Sequence, residues 1–192
     1  MPQIGLRGFK VAKYVNTNGL ITYTNQTEVG DAITANLELR VAEGRLWAED
    51  GLAEYIRKAT GGTISIGVKY IKTAAQKLMF GLEEKTRSIG TGTASVTGLV
   101  ATAKQTGNYV GFACYAPDVV DGEDKFACFF VHKARFGQPN VSLQTSNDGI
   151  AFQTPVTNGE FLMDDSEDKA IMESATVDTE AEAIAWIEAV LA

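Results

Sequence analysis

Cysteine is scarce: Cys114 and Cys128 are the only two in 192 residues. That is too few for a disulfide framework, although one bridge in an oxidising compartment stays open. Histidine is scarcer still, and any triad or imidazole-bearing metal site would have to be built around His132. No run of 18 apolar residues occurs, so a membrane-spanning helix is not expected. The first 20 residues mix Arg7, Lys10 and Lys13 with single apolar positions, unlike a secretory leader. Basic charge is nearly missing from the end of the chain: residues 151–192 hold one base, Lys169, against ten acids. With a net charge of −7 and a pI near 4.8, the chain lacks the clustered Lys and Arg that binding by phosphate neutralisation needs.

What is present is enough apolar residue, 45% of the chain, to build one ordinary core without disulfides or a structural metal. Nineteen glycines against four prolines, and a pattern that is mostly period two, point to β structure. Phe9–Val15 alternates and ends at Asn18-Gly19, the dipeptide that supplies the positive φ angles of a tight hairpin, and Leu20–Thr24 returns. Ile33, Ala35, Leu37 and Leu39 share one face of a half-buried strand. Turns are expected at Glu43-Gly44 and Glu49-Asp50-Gly51, with a short strand at Arg45–Glu49. Leu52–Lys58 cannot be typed by periodicity, and Gly61-Gly62 reads as a break before a strand through Ile64, Ile66 and Val68.

Ala75, Leu78, Met79 and Leu82 predict an amphipathic helix over residues 72–82. Residues 88–98, rich in Gly and Thr, read as a loop or a weakly specified strand. Two hairpins are expected next, 108–115 with 125–136 around Asp121-Gly122-Glu123-Asp124, and 141–145 with 150–154 around Asn147-Asp148-Gly149. A strand over 156–163 and an acidic loop at Asp164–Asp168 follow. Thr179 and Glu182 have capping-box spacing at the head of a terminal helix carrying Ile184, Trp186, Ile187, Val190 and Leu191.

Little in this inventory carries catalysis. Cys114, Cys128 and His132 could converge across a hairpin to hold zinc or activate a thiol, yet no CxxC, HExxH or nucleophile elbow supports them, and small buried cysteines are the commoner use. Asp164, Asp165, Glu167 and Asp168 lack the spacing and central glycine of a calcium loop. Gly90-Thr91-Gly92 lacks the third glycine and helix of a phosphate cradle. The expectation is a protein that is not an enzyme, with no catalytic residue, metal or cofactor.

As an ordered series, the chain resembles the major tail proteins of long-tailed bacteriophages, the subunits of the tail tube. The residues that carry the resemblance are Ile4-Gly5-Leu6-Arg7 opening onto a strand with Ala12 and Tyr14, Leu46-Trp47-Ala48-Glu49-Asp50-Gly51, and Gly62-Thr63-Ile64-Ser65-Ile66-Gly67-Val68. Tyr109-Val110-Gly111-Phe112 and the run from Phe152 to Phe161 complete it. The series spans residues 4–163; the acidic C-terminal part and residues 88–98 depart from it. The resemblance implies a mainly β (α+β) fold, a β-sandwich flanked by the mid-chain helix with extended hairpins. It also implies a homo-oligomer of hexameric rings stacked into a hollow virion tail tube, made in the host bacterial cytoplasm. Its partners would be a tape-measure protein and tail-terminator or baseplate proteins, and DNA would pass through without specific binding.

On that reading residues 1–163 form the tube domain and 164–192 an acidic extension with the terminal helix. Leu46, Trp47, Leu52, Tyr55 and Ile56 are the expected contact between successive rings, apolar anchors in a charged rim. Ile184, Ile187, Val190 and Leu191 are the expected docking stripe of the terminal helix, with Asp164–Asp168 left solvated. The rival readings are a monomeric β-sandwich binding or adhesion module and a Cys/His enzyme; the tube of a contractile secretion-like machine would share the architecture.

Overall fold

The structure is a computed structural model describing residues 5–90, 94–120, 122–140, 145 and 153–192. The expected hairpin over 141–154 falls largely on residues 141–144 and 146–152, outside the described residues. The chain is mainly β with two helices: β1 Arg7–Thr17, β2 Leu20–Glu28, β3 Ala32–Ala48, β4 Gly51–Val68, α1 Thr73–Phe80, β5 Glu83–Ser88 and β6 Ser95–Val100. After these come β7 Val110–Val120, β8 Glu123–Phe136, β9 Val156–Leu162, β10 Met172–Val177 and α2 Glu180–Val190.

Among the described residues, eight strands form one antiparallel sheet in the order β2-β1-β7-β8-β9-β4-β3, with β10 also on β8, and β5 and β6 pair only with each other. The two ends of that order, β2 and β3, are joined by residues 29–31 alone. Three residues reach at most about 14 Å, whereas six strand spacings laid flat would span about 29 Å. The sheet is therefore rolled, and its two halves face each other across a core. That core holds Phe9, Val11, Ile64, Ile66, Phe112, Val131 and Phe161, with Ala75, Met79 and Phe80 of α1 packed into it. Of the expected helix stripe, Ala75 and Met79 are buried and Leu78 and Leu82 lie at the margin. The backbone carbonyl of Val29 accepts from Lys72 N at 2.9 Å, tying the joining segment to the start of α1.

The opposite face of the sheet carries a second, smaller core of Ala12, Ala113, Tyr115, Cys128 and Phe130 covered by α2. Thr179 caps that helix as read, its hydroxyl accepting from Glu182 N while the Glu182 carboxylate accepts from Thr179 N. The docking stripe needs correction. Ala183, Ile187 and Leu191 are buried and Val190 is half-buried, but Ile184 points to solvent at 40% exposure. At 100° per residue, 183, 187 and 191 line one face and 184 falls to its flank. Arg7 and Lys10 of β1 then hold the acidic side of the helix, through Glu180 at 2.7 Å and Glu188 at 2.9 Å.

Two further expectations change. Glu43-Gly44 is not a turn: β3 runs through it and pairs with β4 from Ala32 to Ala48. Gly61-Gly62 is not a break: β4 continues through it between β3 and β9. A glycine pair ends a strand only where neighbours do not hold it, and here both edges are hydrogen-bonded. The turn at Glu49-Asp50 is present, both residues at positive φ. Residues 88–98 resolve into the ends of the β5–β6 hairpin apart from 91–93, which lie outside the described residues. The segment 164–192 contributes β10, which hydrogen-bonds along β8 from Phe126 to Val131, the edge that β9 takes from Lys133 onward.

Candidate functional site

Cys114 and Cys128 lie on opposite faces of the sheet, one in each core, because Cys114 stands opposite Phe129 and Tyr115 opposite Cys128 in the β7–β8 register. Alternation along the strand then puts His132 on the Cys128 side. The three side chains therefore do not meet. Burial pushes the Cys114 thiol up to about 12, so at neutral pH it carries almost no thiolate and is a poor nucleophile. Among the described residues, no group of three His, Cys, Asp or Glu side chains is placed to hold a metal.

His132 has a different setting. Its ring packs on Phe130 with centroids 4.6 Å apart, and its two nitrogens face carboxylates, Nδ1 to Asp164 at 3.8 Å and Nε2 to Glu173 at 3.9 Å. Contrary to the solvated acidic loop expected from sequence, Asp164 is buried and accepts from Ser166 N and Ser166 Oγ. The excursion between β9 and β10 folds back on itself, Asp164 N donating to Ala170 O, and this closes over the carboxylate. Asp165 accepts from Lys133 Nζ at 2.8 Å and from Tyr14 Oη at 3.0 Å. The ammonium and hydroxyl contacts, with Asn16 adding a hydrogen bond, hold its carboxyl at about 2, while burial lifts Tyr14 to about 12.

Burial keeps the His132 pKa below its ordinary 6.5 although Asp164 and Glu173 pull the other way. The folded state thus prefers the neutral ring. Its contribution to stability is complete above about pH 6.5 and is lost as pH falls through the lower folded value. Asp165, with its pKa depressed from 3.8, contributes above that pH and loses its contribution as pH falls toward 2. Acid should therefore weaken the β8–β10 junction in two steps, histidine first. An NMR titration of the single histidine should place its midpoint below 6.5, and His132→Gln should flatten the urea midpoint between pH 7 and 5 while leaving the lower step.

A long feature that the described fold does not use internally is the β3–β4 ribbon. Beyond Gly61, where pairing to β9 ends, β3 and β4 pair only with each other among the described residues. From Ala42 to Thr60 every residue is exposed. The five sequence candidates all lie on this arm and open to solvent: Trp47 at 65%, Leu46 at 58%, Ile56 at 53%, Leu52 at 51% and Tyr55 at 47%. None caps the core. Strand alternation and the register, Trp47 opposite Leu52 and Arg45 opposite Tyr55, put Trp47, Leu52 and Tyr55 on one face of the ribbon and Leu46 and Ile56 on the other. Large apolar side chains exposed on an isolated two-stranded ribbon are costly in water.

The arm leaves the sheet through a bulge. Val41 pairs with Ala59 and Arg40 with Gly61, so Thr60 is the extra residue and its hydroxyl donates to Arg40 O. A bulge adds local twist and re-aims the strands. Beside this root, a groove runs between residues 101–109 and the β8–β9 junction, in two connected cavities of about 430 and 410 Å³ that share Thr106, Phe136 and Gly137. Arg135 lies in it with its guanidinium 3.9 Å over the Tyr109 ring. No sequence signal announced the groove, since its walls are drawn from separate segments, around 101–109, 135–138 and 159–162. In comparisons with known proteins, no protein-family model matches the chain and no curated sequence matches it.

Proposed function

We propose that this chain is the repeating subunit of a hollow tube of the kind that long-tailed bacteriophages use as the tail tube, assembled as six-membered rings stacked on one another. The observation that carries the reading is the β3–β4 arm, with five large apolar side chains exposed on a ribbon that no other described element pairs with. Such an arm is a structural element waiting for a partner surface, and successive rings of identical subunits supply one. Three further features support it. The free edges of β2 and β3 offer backbone donors and acceptors to a neighbouring copy, which would remove the edges that otherwise invite aggregation. The acidic balance keeps DNA from adhering during passage. No described helix is long and apolar enough to cross a membrane. On this reading the tube would meet a tape-measure protein inside and terminator or baseplate proteins at its ends.

Negative-stain electron microscopy of the purified protein tests the reading directly. Rings or tubes of uniform width are expected, and a monomer at every concentration would defeat it. Trp47→Ala should leave the thermal unfolding midpoint within about 2 °C of the parent, since an exposed position costs little, and should abolish stacking. A variant that unfolds instead would show Trp47 to be part of the core.

A further inference from the structure

We propose that the groove beside the root of the arm is the receiving site for the acidic tip of the arm of a second copy, so that copies join tip to root. The tube reading supplies the second copy; the choice of surface rests on charge, unpaired donors and reach.

The arm is electrically polarised. Residues 46–54 contain three acids, Glu49, Asp50 and Glu54, and no base, while the flanking stretches 40–45 and 55–60 contain Arg40, Arg45, Arg57 and Lys58 against Glu43. The stem balances part of its charge internally, Glu43 lying 3.6 Å from Arg45 and 3.5 Å from Arg57. Among the described residues the three tip acids have no ion-pair partner. The tip thus presents carboxylates next to Trp47 and Leu52.

The groove presents the complement. Glu160 stands opposite Arg135 in the β8–β9 register, yet its carboxylate goes to Arg40 at 3.2 Å, leaving Arg135 without an acid among the described residues. Arg135 Nε is buried with no hydrogen-bond partner, and so is Gln105 Nε2 in the adjoining cavity. Both are donors, and each left alone carries the full cost of lost hydration. Lys104, exposed beside Gln105 in the chain, adds a second cation that has no ion-pair partner among the described residues. Two orphaned donors, two cations and the Tyr109 ring suit an occupant that brings acceptors, negative charge and an apolar flank, and the arm tip brings all three.

Reach selects a second copy. Leu162 lines the groove and pairs with Gly61 at the root, so the groove lies where the arm begins. The tip is about eight residues further, or about 25 Å along a strand. A paired ribbon of that length cannot fold back on its own root. A contact between different patches on identical copies does not close on itself by a two-fold; repeated, it either closes a ring or extends in one direction, and stacking uses the second.

The test joins two surfaces with new thiols. Ala48→Cys at the tip and Lys104→Cys at the rim place one on each surface, while the native thiols are buried. Oxidised under assembling conditions, the double variant should give a ladder of disulfide-linked oligomers on a non-reducing gel, and each single variant should stay monomeric. Single variants that dimerise would let tip–tip and rim–rim bonds build the ladder and would overturn its reading as tip-to-root contact. Monomer and dimer alone from the double variant overturn the groove as receiver, and tubes in the same sample would leave the tube reading intact. A ladder without tubes upholds the tip-to-root contact and removes the tube. As a second measure, Glu49→Gln with Asp50→Asn, exposed positions at which folding is not at stake, should raise the critical concentration for assembly about tenfold or more. Arg135→Gln should do the same, and an unchanged threshold in both overturns the pairing.

Discussion

Replacing Ile187 by alanine should lower the unfolding free energy by about 2–5 kcal/mol, while Ile184→Ala, three residues earlier and about 60° round the helix, should change it by less than about 0.5 kcal/mol. Ile187 is 1% exposed against Ala12, Ala113, Tyr115, Cys128 and Phe130, and Ile184 is 40% exposed. A helix of 11 residues is marginal alone in water, so α2 exists because this face of the sheet exists, and the dependence runs both ways. Without the helix, the second core would be an open apolar face on β1, β7 and β8. Truncation before Thr179 should therefore give a chain that aggregates or melts early. The ion pairs from Arg7 and Lys10 to Glu180 and Glu188 are exposed on the acid side and contribute less than the buried stripe. Urea unfolding of the two single variants decides the matter. Equal effects at 184 and 187 would mean that the helix rides on the sheet in another orientation.

This pair of isoleucines also shows how far the chain could be read before its structure. A capping box and four apolar residues were enough to place a terminal helix, because capping and periodicity are local. Which of two isoleucines three residues apart is buried depends on how the helix is rotated against β8 and β10, and β10 was itself unread: in Met172–Val177 only Ala175 and Val177 turn inward. The Asn18-Gly19 hairpin and the turn at Glu49-Asp50 were legible for the same local reason. Asp164 was not. Its carboxylate is buried by a backbone excursion between two strands that share the edge of β8, an arrangement with no trace in residue spacing. The groove around Arg135 was invisible too, since what marks it is an absent partner: Glu160 sits across the strand pair and bonds to Arg40 instead. For the arm, composition named the right residues, and only the structure gave them an exposed, paired backbone.

Gly62→Ala should be among the most damaging single-methyl additions in the chain, costing about 3 kcal/mol, the upper part of the range for overpacking. Here β4 passes between β3 and β9, and a Cβ at Gly62 would collide with the carbonyl oxygen of Glu38 on one side and the ring of Phe161 on the other. Phe161 is fully buried, so its ring has no empty volume to swing into, and the Glu38 carbonyl belongs to the strand pair itself. Gly61 adds a conformational demand: its φ of +132° is open to glycine and strained for any other residue, and a Cβ there would meet the Phe161 carbonyl. Together the two glycines let three backbones approach closely at the point where the arm changes direction. The sequence signal was real, since a glycine pair does mark special backbone, but it marks close approach and a bulge where a break was expected. Gly44→Ala is the control, because it lies on the same strand pair, further along the arm, with open space around it, and should change stability by less than about 0.5 kcal/mol. If Gly62→Ala unfolded at the same urea concentration as the parent, β4 could not lie this close to β3 and β9. The rooting of the arm, and with it the direction in which its tip points, would then have to be drawn differently.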